Sequence, residues 1–275
     1  MIKEYIQVCD DEDPHDIYEV YANEALLEGK TKKAIEFFEL SLKEGNTNAY
    51  FSLGMIYKNG FGLPVDYEKA IKYYEKAVEH NHPMGTFNLG FMYHMGIGVK
   101  KNIKKTIELY EKAVELENPN AAFNLGQMYC SGIGVKKNEE IGFNYYLYAL
   151  KLKFLLALFP VGYMYNEGIG VEQDTQKALI VLEKAVEADM ADAIDYLGTM
   201  YANGNGVKKD YKKAQEYYEK GANLGNPNSM FNLGIMYIKG LIGEQNKEKA
   251  KEWFTKAGDC GHPDGYDAVE QVDNL

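Results

Sequence analysis

An all-α solenoid of antiparallel helix pairs, repeating every 36 residues, is the fold class this 275-residue sequence predicts. Three observations carry it. A glycine recurs at Gly54, Gly90, Gly126, Gly162, Gly198 and Gly234, with a tyrosine three residues on at Tyr57, Tyr93, Tyr129, Tyr165, Tyr201 and Tyr237. A second glycine follows at Gly60, Gly96, Gly132, Gly168, Gly204 and Gly240. Six residues later stands Asp or Asn, at Asp66, Asn102, Asn138, Asp174, Asp210 and Asn246. A strict period of this length means stacked supersecondary units, each burying its apolar face against the next.

Each marker has a physical role. Leu89, Gly90 and Tyr93 share one helical face, and the glycine admits a neighbouring helix. Met92, Met128, Met164, Met200 and Met236 adjoin that face as core filler. Gly96 is placed to end the first helix in a left-handed turn, Gly98 to let the loop reverse, and Val99 to plug it. The recurring Asp or Asn is placed to cap the second helix. Helices are therefore expected near 48–59 and 66–80 and at each later 36-residue step. Ala70, Ala77 and their counterparts mark helix crossings, with aromatic pairs such as Tyr73-Tyr74 and Trp253-Phe254 between them. Pro83, Pro119, Pro227 and Pro263 are placed to open the following first helix, where a missing N–H costs nothing. Gly96-Ile97-Gly98 is not a dinucleotide loop: no strand precedes it, a third glycine is lacking, and it recurs in nearly every repeat.

The repeats fall at 47–82, 83–118, 119–154, 155–190, 191–226 and 227–262. Residues 1–10 read as a tail, and 11–46 as a degenerate helix pair capping the N-terminal end. Residues 263–275 match only the start of a repeat and read as a C-terminal cap.

Composition narrows the function. No run approaches the roughly 18–20 apolar residues of a membrane span. The N-terminus runs into Asp10-Asp11-Glu12-Asp13 without a signal-peptide core. Cys9, Cys130 and Cys260 show neither metal-ligand nor disulfide spacing. A cytoplasmic location and no metal or cofactor are the expectations. The net charge is −11, and all 30 Lys+Arg residues are lysine. Without the planar fork of arginine, an acidic chain is a poor match for nucleic acid or phosphopeptides.

Phe87-Asn88-Leu89-Gly90-Phe91-Met92-Tyr93 and Gly204-Asn205-Gly206-Val207-Lys208-Lys209-Asp210-Tyr211-Lys212-Lys213-Ala214 resemble the Sel-one-like repeat (SLR), a relative of the tetratricopeptide repeat. The resemblance covers residues 47–262. It implies a right-handed superhelix, with first helices lining a concave face and second helices outside, and a non-enzymatic adaptor or scaffold role. A secreted branch with one disulfide per repeat, associated with penicillin binding or hydrolysis, is not matched, because its cysteine pairs are missing.

In tetratricopeptide relatives, ligands lie near the Leu-Gly pair on the concave face. The resemblance thus makes Asn88, Asn124 and Asn232 candidates for pairing with a peptide backbone. Phe51, Phe87, Phe123 and Phe231 precede them as candidate pockets, with Met55 and Phe91 one turn on. Two readings stay open for these rows: ligand contact, or packing between neighbouring helices. Because the predicted groove has few charges, a neutral or apolar peptide or protein segment is the expected partner. The fourth repeat departs from the pattern with Phe154, Leu155 and Leu156 in a polar slot and Pro160 in the Asn row. That patch is either a partner or self-association surface, or it folds inward.

Two other functional classes lack their signatures. A penicillin-directed hydrolase needs Ser-x-x-Lys, but three residues after Ser41, Ser52, Ser131 and Ser229 stand Glu44, Met55, Gly134 and Asn232. A helical-repeat RNA binder needs a basic groove. His80, His82 and His94 read as loop or helix-face residues rather than metal ligands.

Overall fold

A computed structural model describes residues 17–273. The expected tail at 1–10 and the opening of the 11–46 segment lie outside the described residues, as do Asn274 and Leu275. Among the described residues there are fifteen α-helices, one short 3-10 turn and no strand. No helix is long and apolar enough to cross a membrane.

The chain forms two compact units. The first ends at Lys153 and holds α1 (Ile17–Leu27), α2 (Thr31–Lys43), α3 (Ala49–Asn59), α4 (Tyr67–Glu79), α5 (Pro83–Met95), α6 (Ile103–Glu115), α7 (Pro119–Ser131) and α8 (Glu139–Lys151). The second begins at Phe154. It holds the 3-10 turn Leu155–Ala157, α9 (Leu158–Glu167), α10 (Thr175–Glu187), α11 (Ala191–Asn203), α12 (Tyr211–Asn223), α13 (Pro227–Ile238), α14 (Lys247–Asp259) and α15 (Gly265–Asp273). From α3 to α14 the helices form six antiparallel pairs in the expected register.

Each pair is tied at its loop by the same two bonds. The Asp or Asn cap accepts from the backbone N–H three residues on, at 2.9–3.1 Å in all six repeats, as Asp66 does from Lys69. The backbone N–H of the same cap residue donates to the carbonyl of the repeat tyrosine, at 2.9 Å from Asp66 to Tyr57 and 3.0 Å from Asn246 to Tyr237. The recurring Tyr and Asp/Asn are thus the two ends of one backbone clamp. Gly96 adopts φ 76°, and the N–H of Ile97 returns to the Met92 carbonyl at 3.0 Å, closing the left-handed helix end.

The helices of a pair close on the first-helix glycine. A Cβ added at Gly198 would lie 2.7 Å from the Tyr218 ring, and one at Gly90 would lie 2.8 Å from Tyr110. Gly54, Gly126 and Gly234 lie likewise under Tyr74, Tyr146 and Phe254, and Gly162 under Leu182. The alanines at the crossings, among them Ala70, Ala77, Ala113 and Ala185, are fully buried. At the N-terminal end Ala22, Ala25, Ala34 and Phe38 share a core with Leu53 and Ile56 of the first repeat. At the other end Val272 of α15 packs with Phe254.

Two details depart from expectation. Pro83, Pro119 and Pro227 open helices, but Pro263 does not. There the helix begins at Gly265, whose missing Cβ lets it sit against the Gly258 backbone, so the proline is left in the preceding turn. The turn after each second helix also needs a left-handed residue. Gly45, Gly225 and Gly261 supply it, whereas Asn81, Glu117, Lys153 and Asp189 hold φ between 52° and 62° with a side chain attached.

That conformation costs a non-glycine residue about 1 kcal/mol. Replacing exposed Glu117 with Gly is therefore expected to stabilise the chain by roughly 0.5 kcal/mol after the glycine's extra unfolded-state entropy. Gly198→Ala should destabilise it by about 2 kcal/mol, because the methyl drives into Tyr218. Urea unfolding midpoints check both. A lower midpoint for Glu117→Gly, or an unchanged one for Gly198→Ala, contradicts this account.

Candidate functional site

The residues around each Leu-Gly pair form the candidate site, and a row of phenylalanines underlies it. Phe87 is half-buried, stacked on Tyr110 with ring centroids 5.4 Å apart, and touches Phe91 at 6.4 Å. Phe123 packs on Tyr146 at 5.4 Å, and Phe231 on Phe254 at 5.0 Å. Phe51, 8% exposed, meets Tyr74 at 6.3 Å and stacks on His82 at 4.8 Å. Each phenylalanine thus rests on the ring that covers its own repeat's glycine. Phe231 also lies flat on His262, 4.0 Å away. Met55 and Phe91 are half-buried one turn on.

The three asparagines use different partners. Asn88, 6% exposed, donates to the Met84 carbonyl at 2.8 Å and accepts from the Lys58 ammonium at 3.2 Å. Asn124, half-buried, donates to the Tyr110 hydroxyl at 3.3 Å. Asn232 donates to the Asp195 carboxylate at 3.1 Å. Lys58, half-buried, has its pKa lowered by desolvation, and its ammonium lies 5.9 Å from the Phe91 ring centre.

The fifth repeat replaces Phe with Asp195 and Asn with Tyr196. Asp195 accepts from the Ser229 hydroxyl at 2.9 Å as well as from Asn232; burial raises its pKa despite these bonds. The Tyr196 hydroxyl donates to the Glu167 carboxylate and accepts from the Asn166 amide at 2.9 Å. Lys58–Asn88 and Asn166–Tyr196 span 30 residues each, joining the end of one first helix to the middle of the next. Sequence reading missed these bridges, because the residue at the helix end changes in every repeat and only the spacing recurs.

In the fourth repeat Leu155 and Leu156 are each 56% exposed, and Phe154 is half-buried. Pro160 is the third residue of α9, where its missing N–H breaks no helical bond. His82 caps α5 through Nδ1, which accepts from Gly85 N–H at 3.0 Å. Asn118 and Asn226 do the same for α7 and α13.

With this geometry in place, comparison assigns the chain to a family. The Sel1 repeat model matches residues 47–82, 83–118, 119–154, 155–190, 191–226 and 227–262. The chain belongs to the Sel1 repeat family. A Sel1 repeat protein from Oxalobacter formigenes is 32% identical over 88% of this chain and 99% of its own, with a TM-score of 0.74. A protective antigen of uropathogenic Escherichia coli with an SLR fold is 27% identical over 99% of this chain, with a TM-score of 0.81. This chain spans 59% of that antigen's length. No curated protein matches the chain. Sel1 repeats generally serve as protein-interaction scaffolds.

The His82 cap makes stability pH-dependent. Burial holds the imidazole below its usual pKa, and the cap needs Nδ1 unprotonated. The unfolded chain therefore binds the proton at higher pH than the folded one. The cap's contribution is complete above the usual imidazole range and is lost as pH falls toward the depressed folded value. His82→Asn keeps a capping oxygen without titration. Its melting temperature should fall less between about pH 7.5 and 5.5 than that of the native chain. Identical slopes for the two proteins would assign the effect elsewhere.

Proposed function

We propose that this Sel1 repeat protein is a non-enzymatic scaffold that holds an extended segment of another protein against its first helices. The helix pair at 17–43 packs on the first repeat, and the helix at 265–273 packs on α14. The observation carrying this reading is the repeated pairing of a half-buried ring with an amide on three first helices, α5, α7 and α13, at Phe87-Asn88, Phe123-Asn124 and Phe231-Asn232. Rings anchored on the core leave apolar edges at fixed spacing, and that is how a groove takes side chains of an extended chain. Asn124 donates to Tyr110, which leaves its amide oxygen uncommitted and able to accept from a peptide N–H. In the first unit the helices α3, α5 and α7 contain one lysine, Lys58, and no carboxylate. A neutral or apolar segment suits that face.

Photo-crosslinking tests the surface used. A crosslinker at Met55 or Phe91 should capture a partner segment, and one at exposed Glu75 or Glu111 on second helices should not. Asn124→Ala should weaken capture while costing at most about 1 kcal/mol of stability. Capture mainly from Glu75 and Glu111, or capture indifferent to Asn124→Ala, would place the partner on another face.

A further inference from the structure

We propose that the α9–α11 face of the second unit seats a lysine or arginine side chain of a partner, beside an apolar residue of the same partner segment. This rests on the groove-binding reading above and narrows it to one ligand class.

The donors and acceptors of the cluster point to the ligand. The Asn166 amide donates one N–H to the Tyr196 hydroxyl and the other to the Glu167 carboxylate, at 2.9 Å each. Tyr196 gives its own proton to Glu167. Every side-chain donor of the trio is committed, and only acceptors remain. Among the described residues no lysine pairs with Glu167, and the Asn166 oxygen, on a side chain 4% exposed, has no donor. A carboxylate held by two neutral donors and left without a counter-charge is completed by a cation carrying several N–H groups.

The surroundings suit the rest of such a side chain. Tyr196 meets Tyr163 and Phe159 edge-on, at 5.3 and 5.9 Å. Rings in this arrangement take the aliphatic stem of a basic side chain and attract its charge. Leu156, Phe159, Tyr163 and Glu167 follow one another at three, four and four residues, the spacing of one helical stripe. Along it exposure is 56% at Leu156 and 38% at Tyr163. The stripe runs from an apolar end to an acidic one, so the segment it fits is apolar at one end and basic at the other.

Lysine is segregated in the same sense. The first helices α9, α11 and α13 carry Glu167, Asp192 and Asp195 and no lysine, whereas α10, α12 and α14 all carry lysines. Asp195 is half-buried and bonded to Ser229 and Asn232, which leaves Glu167 and Asp192 as the exposed carboxylates.

The test titrates the full chain with three fluorescein-labelled peptides, built from leucine with lysine, leucine with serine, or leucine with glutamate. The leucine–lysine peptide should bind at least about ten-fold tighter than the serine peptide, and the glutamate peptide weakest. Glu167→Gln and Tyr163→Ala should each weaken the lysine peptide about ten-fold at an unchanged melting temperature. Glu183→Gln, which removes an exposed carboxylate on α10, should leave it unaltered. Equal losses in Glu167→Gln and Glu183→Gln would reduce the effect to the general acidity of the chain and overturn the proposal. Equal affinity for lysine and serine peptides would also overturn it, leaving the groove reading standing. Binding of none of the three would remove both.

Discussion

Every repeat depends on a ring, or in one case a leucine, laid directly on a glycine. The contact sets how closely the two helices of a pair approach, and the buried alanines at the crossings follow from that distance. It also reaches the candidate groove on the first helices. Phe87, Phe123 and Phe231 rest on the same rings of Tyr110, Tyr146 and Phe254 that cover Gly90, Gly126 and Gly234. The candidate groove is therefore the far side of the core contact, and its aromatic edges inherit the rigidity of the packing beneath.

Much of this was legible in the sequence, for a physical reason. Helix ends are governed by bonds over a few residues, so a cap such as Asp66 or a left-handed glycine such as Gly96 announces itself locally. Side-chain orientation is decided by what packs from elsewhere. The positions of Asn88, Asn124 and Asn232 could be read from the repeat, but their partners could not. Asn88 meets Lys58, a residue unlike its counterparts in other repeats, and Asn232 meets an aspartate standing where other repeats have phenylalanine. The left-handed turn at Glu117 and Asp189 was hidden as well, because only Gly45, Gly225 and Gly261 advertise that conformation.

The face that looks uniform from its periodicity is chemically uneven. Around α3, α5 and α7 its single ammonium is half-buried against an amide and a ring. Around α9 and α11 its carboxylates stand among tyrosines and exposed leucines. The same backbone register supports both surfaces, since the clamp, the cap and the glycine contact use none of the positions that differ. Recognition can change along such a chain without touching what holds it together.

The bonds described here also have a reach. Within a pair the glycine contact joins residues about 20 apart in sequence, and bridges to the next pair span 27 to 37 residues. No described side-chain hydrogen bond ties a repeat to one beyond its neighbour. Deleting or duplicating one 36-residue block would therefore leave the clamp, cap and glycine contact of every remaining repeat intact, provided the junction falls between repeats, and would change only the side-chain bridges at that junction. The length of such a gene can drift in whole-repeat steps through recombination, and each step would add or remove one pair of helices.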